Sequence, residues 1–173
     1  MVDIKTVGII GAGQMGTGIA HVVALGGYDV LLHDVSQDRI DQGLALIEKN
    51  MTRQVARGLI EHTAMEAAVK RIKPAKELQT IGGAGLAVEA ATEDEETKKT
   101  IFKALSPHLA AGTLLASNTS SISITRLASA PDRPERFIGL HFMKPAPVMK
   151  LVEITRGIAT SAGTYDTAVA FAE

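Results

Sequence analysis

Short apolar runs bounded by glycine alternate along this chain with longer segments whose apolar residues recur every three or four positions. Residues 7–10 (Val-Gly-Ile-Ile) read as a buried parallel strand stopped by glycine. Residues 16–25 carry Ile19, Val22 and Val23 at helical spacing and end at Gly26-Gly27, a helix stop. A second apolar run spans 29–33, after which Ser36 or Asp38 caps a long helix with Ile40, Leu44, Ile47 and Met51 on one face. Strand, helix, strand, helix in this order predicts a parallel α/β sheet.

The middle of the chain repeats the theme. Residues 62–72 read as helix, 86–88 as strand, 95–109 as a charged amphipathic helix, 113–116 as strand and 122–128 as a short helix. Two further strands fall at 137–141 and 151–155, and a helix occupies 162–173. The later strands extend the sheet beyond a minimal mononucleotide-binding unit, toward a substrate site. With no long Pro- or Ser-rich linker, internal repeat or low-complexity tract, residues 1–173 form one domain. The expected fold is a Rossmann-type, doubly wound, mostly parallel sheet with helices on both faces.

Composition narrows the class without naming a chemistry. A net charge of -1 gives no electrostatic case for nucleic acid or an anionic membrane surface. The absence of cysteine excludes disulfides and thiolate metal sites, and the first apolar run is too short to span a bilayer. The default reading is a soluble cytoplasmic protein. Its histidines form no metal-ligand cluster at a recognisable spacing.

Gly11-Ala12-Gly13-Gln14-Met15-Gly16 has the spacing G-x-G-x-x-G, between a predicted strand and a predicted helix. That context makes it a dinucleotide-binding signature: Gly11 permits the turn, Gly13 admits a pyrophosphate, and Gly16 lets helix and strand pack closely. Asp34 ends the second strand, where a carboxylate accepts hydrogen bonds from ribose hydroxyls and repels a 2′-phosphate. No arginine follows immediately, so NAD is favoured over NADP.

Ser117-Asn118-Thr119-Ser120-Ser121 follows the 113–116 strand, where loops line the ligand crevice; by itself it reads as a polar turn capping the next helix. His141 ends the next strand, and Glu153 lies on the strand that runs back. The two can meet as a His–carboxylate pair suited to proton transfer near neutral pH, although a pair inferred this way is more often structural.

Together these strings closely resemble the 3-hydroxyacyl-CoA dehydrogenase family, especially its 3-hydroxybutyryl-CoA members. The likeness runs through GAGQMG, Asp34, SNTSSISI, RFIGLHFMKPAPVMKLVEI and RGIATS. The resemblance implies NAD-dependent interconversion of an L-3-hydroxyacyl-CoA and a 3-ketoacyl-CoA, as in fatty-acid or butyrate metabolism. It implies that His141 is the general base or acid, that Glu153 orients it, and that Ser120 contacts the substrate oxygen. Asn118 falls near the nicotinamide and ribose, and Glu93 and Lys98 match cofactor-contacting positions. Arg53 and Arg57 fall where the family places basic residues for the CoA phosphates; alone, they read as solvated surface charges.

Two departures accompany the likeness. Lys144 stands where the family usually has asparagine, and a cation there could compete for Glu153 or lower the imidazole pKa by like-charge repulsion. The family also carries a C-terminal helical domain that dimerises and covers the acyl-CoA; this sequence stops before the position the resemblance implies for it, as expected either of a piece of a longer enzyme or of a naturally short protein. The alternative expectation is therefore an NAD-binding module with little or no turnover.

Overall fold

A computed structural model of the chain describes residues 3–173, so the first two residues of the domain read from the sequence lie outside the described residues. Seven strands form one sheet: β1 (Thr6–Ile10), β2 (Asp29–His33), β3 (Ile72–Ala75), β4 (Leu86–Glu89), β5 (Leu114–Ser117), β6 (Phe137–Phe142) and β7 (Val152–Arg156). Their order is β3-β2-β1-β4-β5-β6-β7; all neighbours are parallel except β6 and β7, which run antiparallel. The order reverses between β1 and β4, and an open α/β sheet binds its ligand in the crevice at such a switch point.

Helices α1 (Gln14–Leu25), α2 (Gln37–Ala56), α3 (His62–Arg71) and α6 (Ala162–Ala172) lie on one face, and α4 (Glu95–Leu105) and α5 (Ile124–Leu127) on the other. Strand alternation supplies both cores. Ile138, Leu140 and Phe142 of β6 join the first, and Phe137 joins Phe102 and Leu105 of α4 in the second. Phe102 and Phe137 meet edge to face at 4.7 Å.

Several boundaries moved for physical reasons. Ser36, not Asp38, caps α2, its hydroxyl accepting from the Arg39 amide. The helix expected over 95–109 ends as α4 at Leu105 and passes into a single 3-10 turn, Ser106–His108, because Pro107 has no amide to continue it. The strand β3 is absent from the sequence reading. Its Ile-Lys-Pro-Ala string lacks a β pattern, and an edge position tolerates its proline.

The parallel register brings the carboxyl ends of the central strands into one row. Ile10 is level with His33 on one side and Glu89 on the other; Glu89 is level with Ser117, and Ser117 with Gly139. The segments that follow these residues therefore open onto the same crevice.

Candidate active site

The glycine turn joins β1 to α1. Gly11 has a φ of +106°, and its amide donates to the His33 carbonyl at 2.7 Å, tying the ends of β1 and β2 together. A Cβ on Gly11 would meet the backbone of Ala90 and Ala91, and one on Gly16 would overlap the Gly11 carbonyl. Only glycine fits this close approach of helix to strand. Above Gly13, in contrast, a Cβ would meet nothing. The first turn of α1 has no side-chain cap, and the Gln14 and Met15 amides donate to no protein acceptor among the described residues. This cradle fits a pyrophosphate.

Asp34 is buried beside the turn. Its carboxylate accepts from the Ala12 amide at 2.9 Å and the Ser36 amide at 3.1 Å. A carboxylate has about four acceptor sites, so two remain for ribose hydroxyls. The residues present thus fit a dinucleotide.

Across the switch point, two carboxylates organise the 117–121 loop. Glu89 is fully buried and accepts from the Lys98 ammonium at 2.5 Å, the Ser117 hydroxyl at 2.9 Å and the Ala91 amide at 2.8 Å. Lys98, also fully buried, donates in addition to the Asn118 carbonyl at 3.1 Å. Glu93 accepts from the Thr119 hydroxyl at 2.5 Å and the Ser120 amide at 3.2 Å. The Asn118 side-chain oxygen accepts from the Phe142 amide at 3.0 Å, joining this loop to the end of β6.

The sequence reading missed Glu89 and Thr119. A lone acid inside the apolar run 86–91 was the available signal for Glu89, because a buried carboxylate requires partners. Nearby, Arg126 and then Lys99 hold the Glu95 carboxyl down at about 2, joining α4 to α5 behind the loop.

His141 and Glu153 stand directly opposite in the antiparallel β6–β7 register, and the His141 Nδ1 lies 2.8 Å from the Glu153 carboxylate. With Nδ1–H donating to the carboxylate, Nε2 is left as an acceptor. It has no protein partner among the described residues. Lys144 is exposed and makes no ion pair there, so the expected competition for Glu153 does not occur.

Arg53 and Arg57 lie away from this pair, at the C-terminal end of α2. They line a cleft of about 780 Å³ whose other walls include Gln14 and Met15 of the glycine turn and Val148 and Lys150 of the β6–β7 loop. The cleft thus runs from the dinucleotide cradle to the two arginines. His21 is on its wall, buried and donating from Nε2 to the Gln54 amide oxygen at 2.8 Å. Burial pushes the His21 ring below its ordinary range, and the Gln54 hydrogen bond partly opposes this. His33 is buried with Nδ1 at 2.7 Å from the Ala75 carbonyl, whereas His62 is exposed.

A doubly wound sheet, a glycine cradle with a buried carboxylate beside it, and a His–Glu pair on the same crevice define a dinucleotide-dependent dehydrogenase domain. The chain belongs to the 3-hydroxyacyl-CoA dehydrogenase family: residues 6–173 match its NAD-binding domain, and NAD is the cofactor of that domain. It is 52% identical over 168 residues to 3-hydroxybutyryl-CoA dehydrogenase of Bradyrhizobium diazoefficiens, covering 97% of this chain and 57% of the relative. It is 43% identical to 3-hydroxyadipyl-CoA dehydrogenase of Escherichia coli, over 94% of this chain and 34% of the relative. The crystal structure of (S)-3-hydroxybutyryl-CoA dehydrogenase from Ralstonia eutropha superposes with a TM-score of 0.95 at 38% identity, over 98% of this chain and 60% of that one. The chain therefore spans from a third to three-fifths of the length of these relatives. Among the described residues, no helix is long and apolar enough to cross a membrane.

Proposed function

We propose that this domain carries the NAD site and the proton-transfer pair of an L-3-hydroxyacyl-CoA dehydrogenase, with 3-hydroxybutyryl-CoA as its substrate class. The observation that carries this reading is the His141–Glu153 pair, with Nε2 left as a free acceptor at the carboxyl edge of the sheet. Bound NAD supplies the acceptor for the C3 hydride. As the C3–H bond breaks, His141 Nε2 takes the hydroxyl proton and the C3–O bond becomes a carbonyl. Glu153 stabilises the imidazolium that forms and keeps Nδ1 protonated throughout. Ser120 hydrogen-bonds the reacting oxygen, and Asn118 borders the nicotinamide and ribose. Glu93 and Lys98 set the cofactor-facing loop through the bonds described above.

Arg53 and Arg57, four apart on one helix face, bind the CoA phosphates at the far end of the cleft. Val148, largely exposed where the β6–β7 loop lines the cleft, offers apolar surface to the chain of the thioester. Relatives of this length class contain further residues beyond the match, and the family's dimer contacts belong to that region under this reading.

The test is steady-state reduction of acetoacetyl-CoA followed by NADH absorbance. His141→Gln should lower kcat about a hundredfold or more, the usual worth of a general acid or base. Undiminished turnover in that variant would remove His141 from the chemistry.

A further inference from the structure

The C-terminal end of α2 carries the cleft's arginines but has little to hold it. The buried residues of α2 are Ile40, Gly43, Ile47 and Met51, so no buried side chain anchors the helix after Met51. Arg53 follows by two positions, and Arg57 is the C-cap. Among the described residues, two side-chain hydrogen bonds tie this end to other helices. One is the long contact of the Thr52 hydroxyl with the Met65 sulfur of α3, at 3.8 Å. The other is the 2.8 Å bond between His21 of α1 and Gln54.

The second bond is built on a rigid base. His21 is 1% exposed, and α1 around it is fixed by buried Ile19, Ala20, Val23 and Ala24. The imidazole has two torsions, both confined by that packing, so its Nε2–H is a fixed donor. Its Nδ1 is buried without a partner, so the ring spends its one hydrogen bond on Gln54. Gln54 in turn shares a helix face with Asn50, Arg53 and Arg57, all four lining the cleft. A turn of α2 about its axis by one residue, about 100°, would swing both guanidinium groups off that wall. Holding Gln54 holds the arginines.

We infer that His21 is a positioning residue for CoA binding, setting through Gln54 the rotation of the arginine-bearing end of α2. The inference rests on the reading of the cleft as the CoA site. It separates His21 from the dinucleotide cradle at the start of the same helix, whose geometry comes from the glycine turn.

The test is calorimetric titration of free coenzyme A into wild type, His21→Leu and His21→Gln, with NADH titrated into each. His21→Leu keeps the packing and removes the donor; it should weaken coenzyme A about five- to tenfold, the scale of one neutral hydrogen bond. Its NADH affinity should match wild type. His21→Gln restores a donor and should recover most of the coenzyme A affinity, which a general packing defect would not allow. If His21→Leu does not fold, Gln54→Met removes the same bond from the half-buried side and should show the same selective loss. Coenzyme A affinity equal to wild type in the variant lacking the bond overturns the inference. Wild type that binds no coenzyme A overturns the assignment of the cleft itself, and this inference with it.

Discussion

His141 and Glu153 are twelve residues apart in the chain yet occupy facing positions of one antiparallel strand pair, with Nδ1 and the carboxylate oxygen 2.8 Å apart. Because β7 is the edge strand, the pair lies where ligand can reach the ring. Glu153→Gln keeps a hydrogen-bond acceptor but removes the charge that stabilises an imidazolium. It should reduce kcat for acetoacetyl-CoA about ten- to a hundredfold while NADH affinity stays unchanged. Parallel kinetics and fluorescence titration check both halves; a variant with full kcat would reduce Glu153 to a structural partner.

Under the proposed function, Asp34 sets the choice of dinucleotide. Asp34→Ala removes the ribose acceptors and should weaken NADH by about 1–3 kcal/mol. NADPH, which the carboxylate repels, should lose little or gain. Equal affinity of the wild type for both cofactors, measured by fluorescence titration, would contradict this role.

Gly16→Ala places a Cβ onto the Gly11 carbonyl, which is backbone and cannot swing aside. The strand–helix turn must open, so the melting temperature and NADH affinity should fall together, with about 1–3 kcal/mol of lost stability. Gly13→Ala adds its Cβ to open space and should leave the melting temperature nearly unaltered while lowering NADH affinity. Equal stability losses in the two variants would contradict this division of labour.

The Lys98–Glu89 pair is fully buried, so removing one partner leaves the other charged in a place water does not reach. Lys98→Met should destabilise the fold by about 3–5 kcal/mol in urea unfolding. Adding Glu89→Gln removes the orphaned charge and should recover part of that loss, its one amide oxygen accepting from the Ala91 amide and its NH2 donating to the Ser117 hydroxyl oxygen. A double variant less stable than Lys98→Met would contradict the account.

His21 gives stability a pH dependence of definite sign. Its ring titrates below the ordinary 6.5 when folded, because burial disfavours the charged form. Between the two values the unfolded chain binds the proton and the folded chain does not. Its contribution is therefore complete above pH 6.5 and is lost as pH falls toward the folded value. Urea midpoints across pH 5–7 should show wild type losing its margin over His21→Gln as the solution is acidified. A constant margin would mean that the ring is not held neutral.

The alternation of short apolar runs with helical periodicity was sufficient to predict a doubly wound sheet. Burial on both faces of a parallel strand leaves its mark directly in the residue string. The glycine turn and Asp34 were legible for a similar reason, since both depend on local backbone geometry within one strand–helix–strand unit. The candidate pair His141 and Glu153 was legible as two strand residues able to meet, and their register was decided only by how β7 folds back on β6. The edge strand β3 left no pattern, because its four residues include Pro74 and gain their place by pairing with β2. Glu89 could be seen as an acid in an apolar run, but its partners come from β5 and α4, 28 and 9 residues away. The same holds for His21 and Gln54, 33 residues apart. Periodicity and turn chemistry are local and can be read along the chain. Which buried polar groups satisfy one another depends on helix and strand packing between distant segments, and only the tertiary structure decided it.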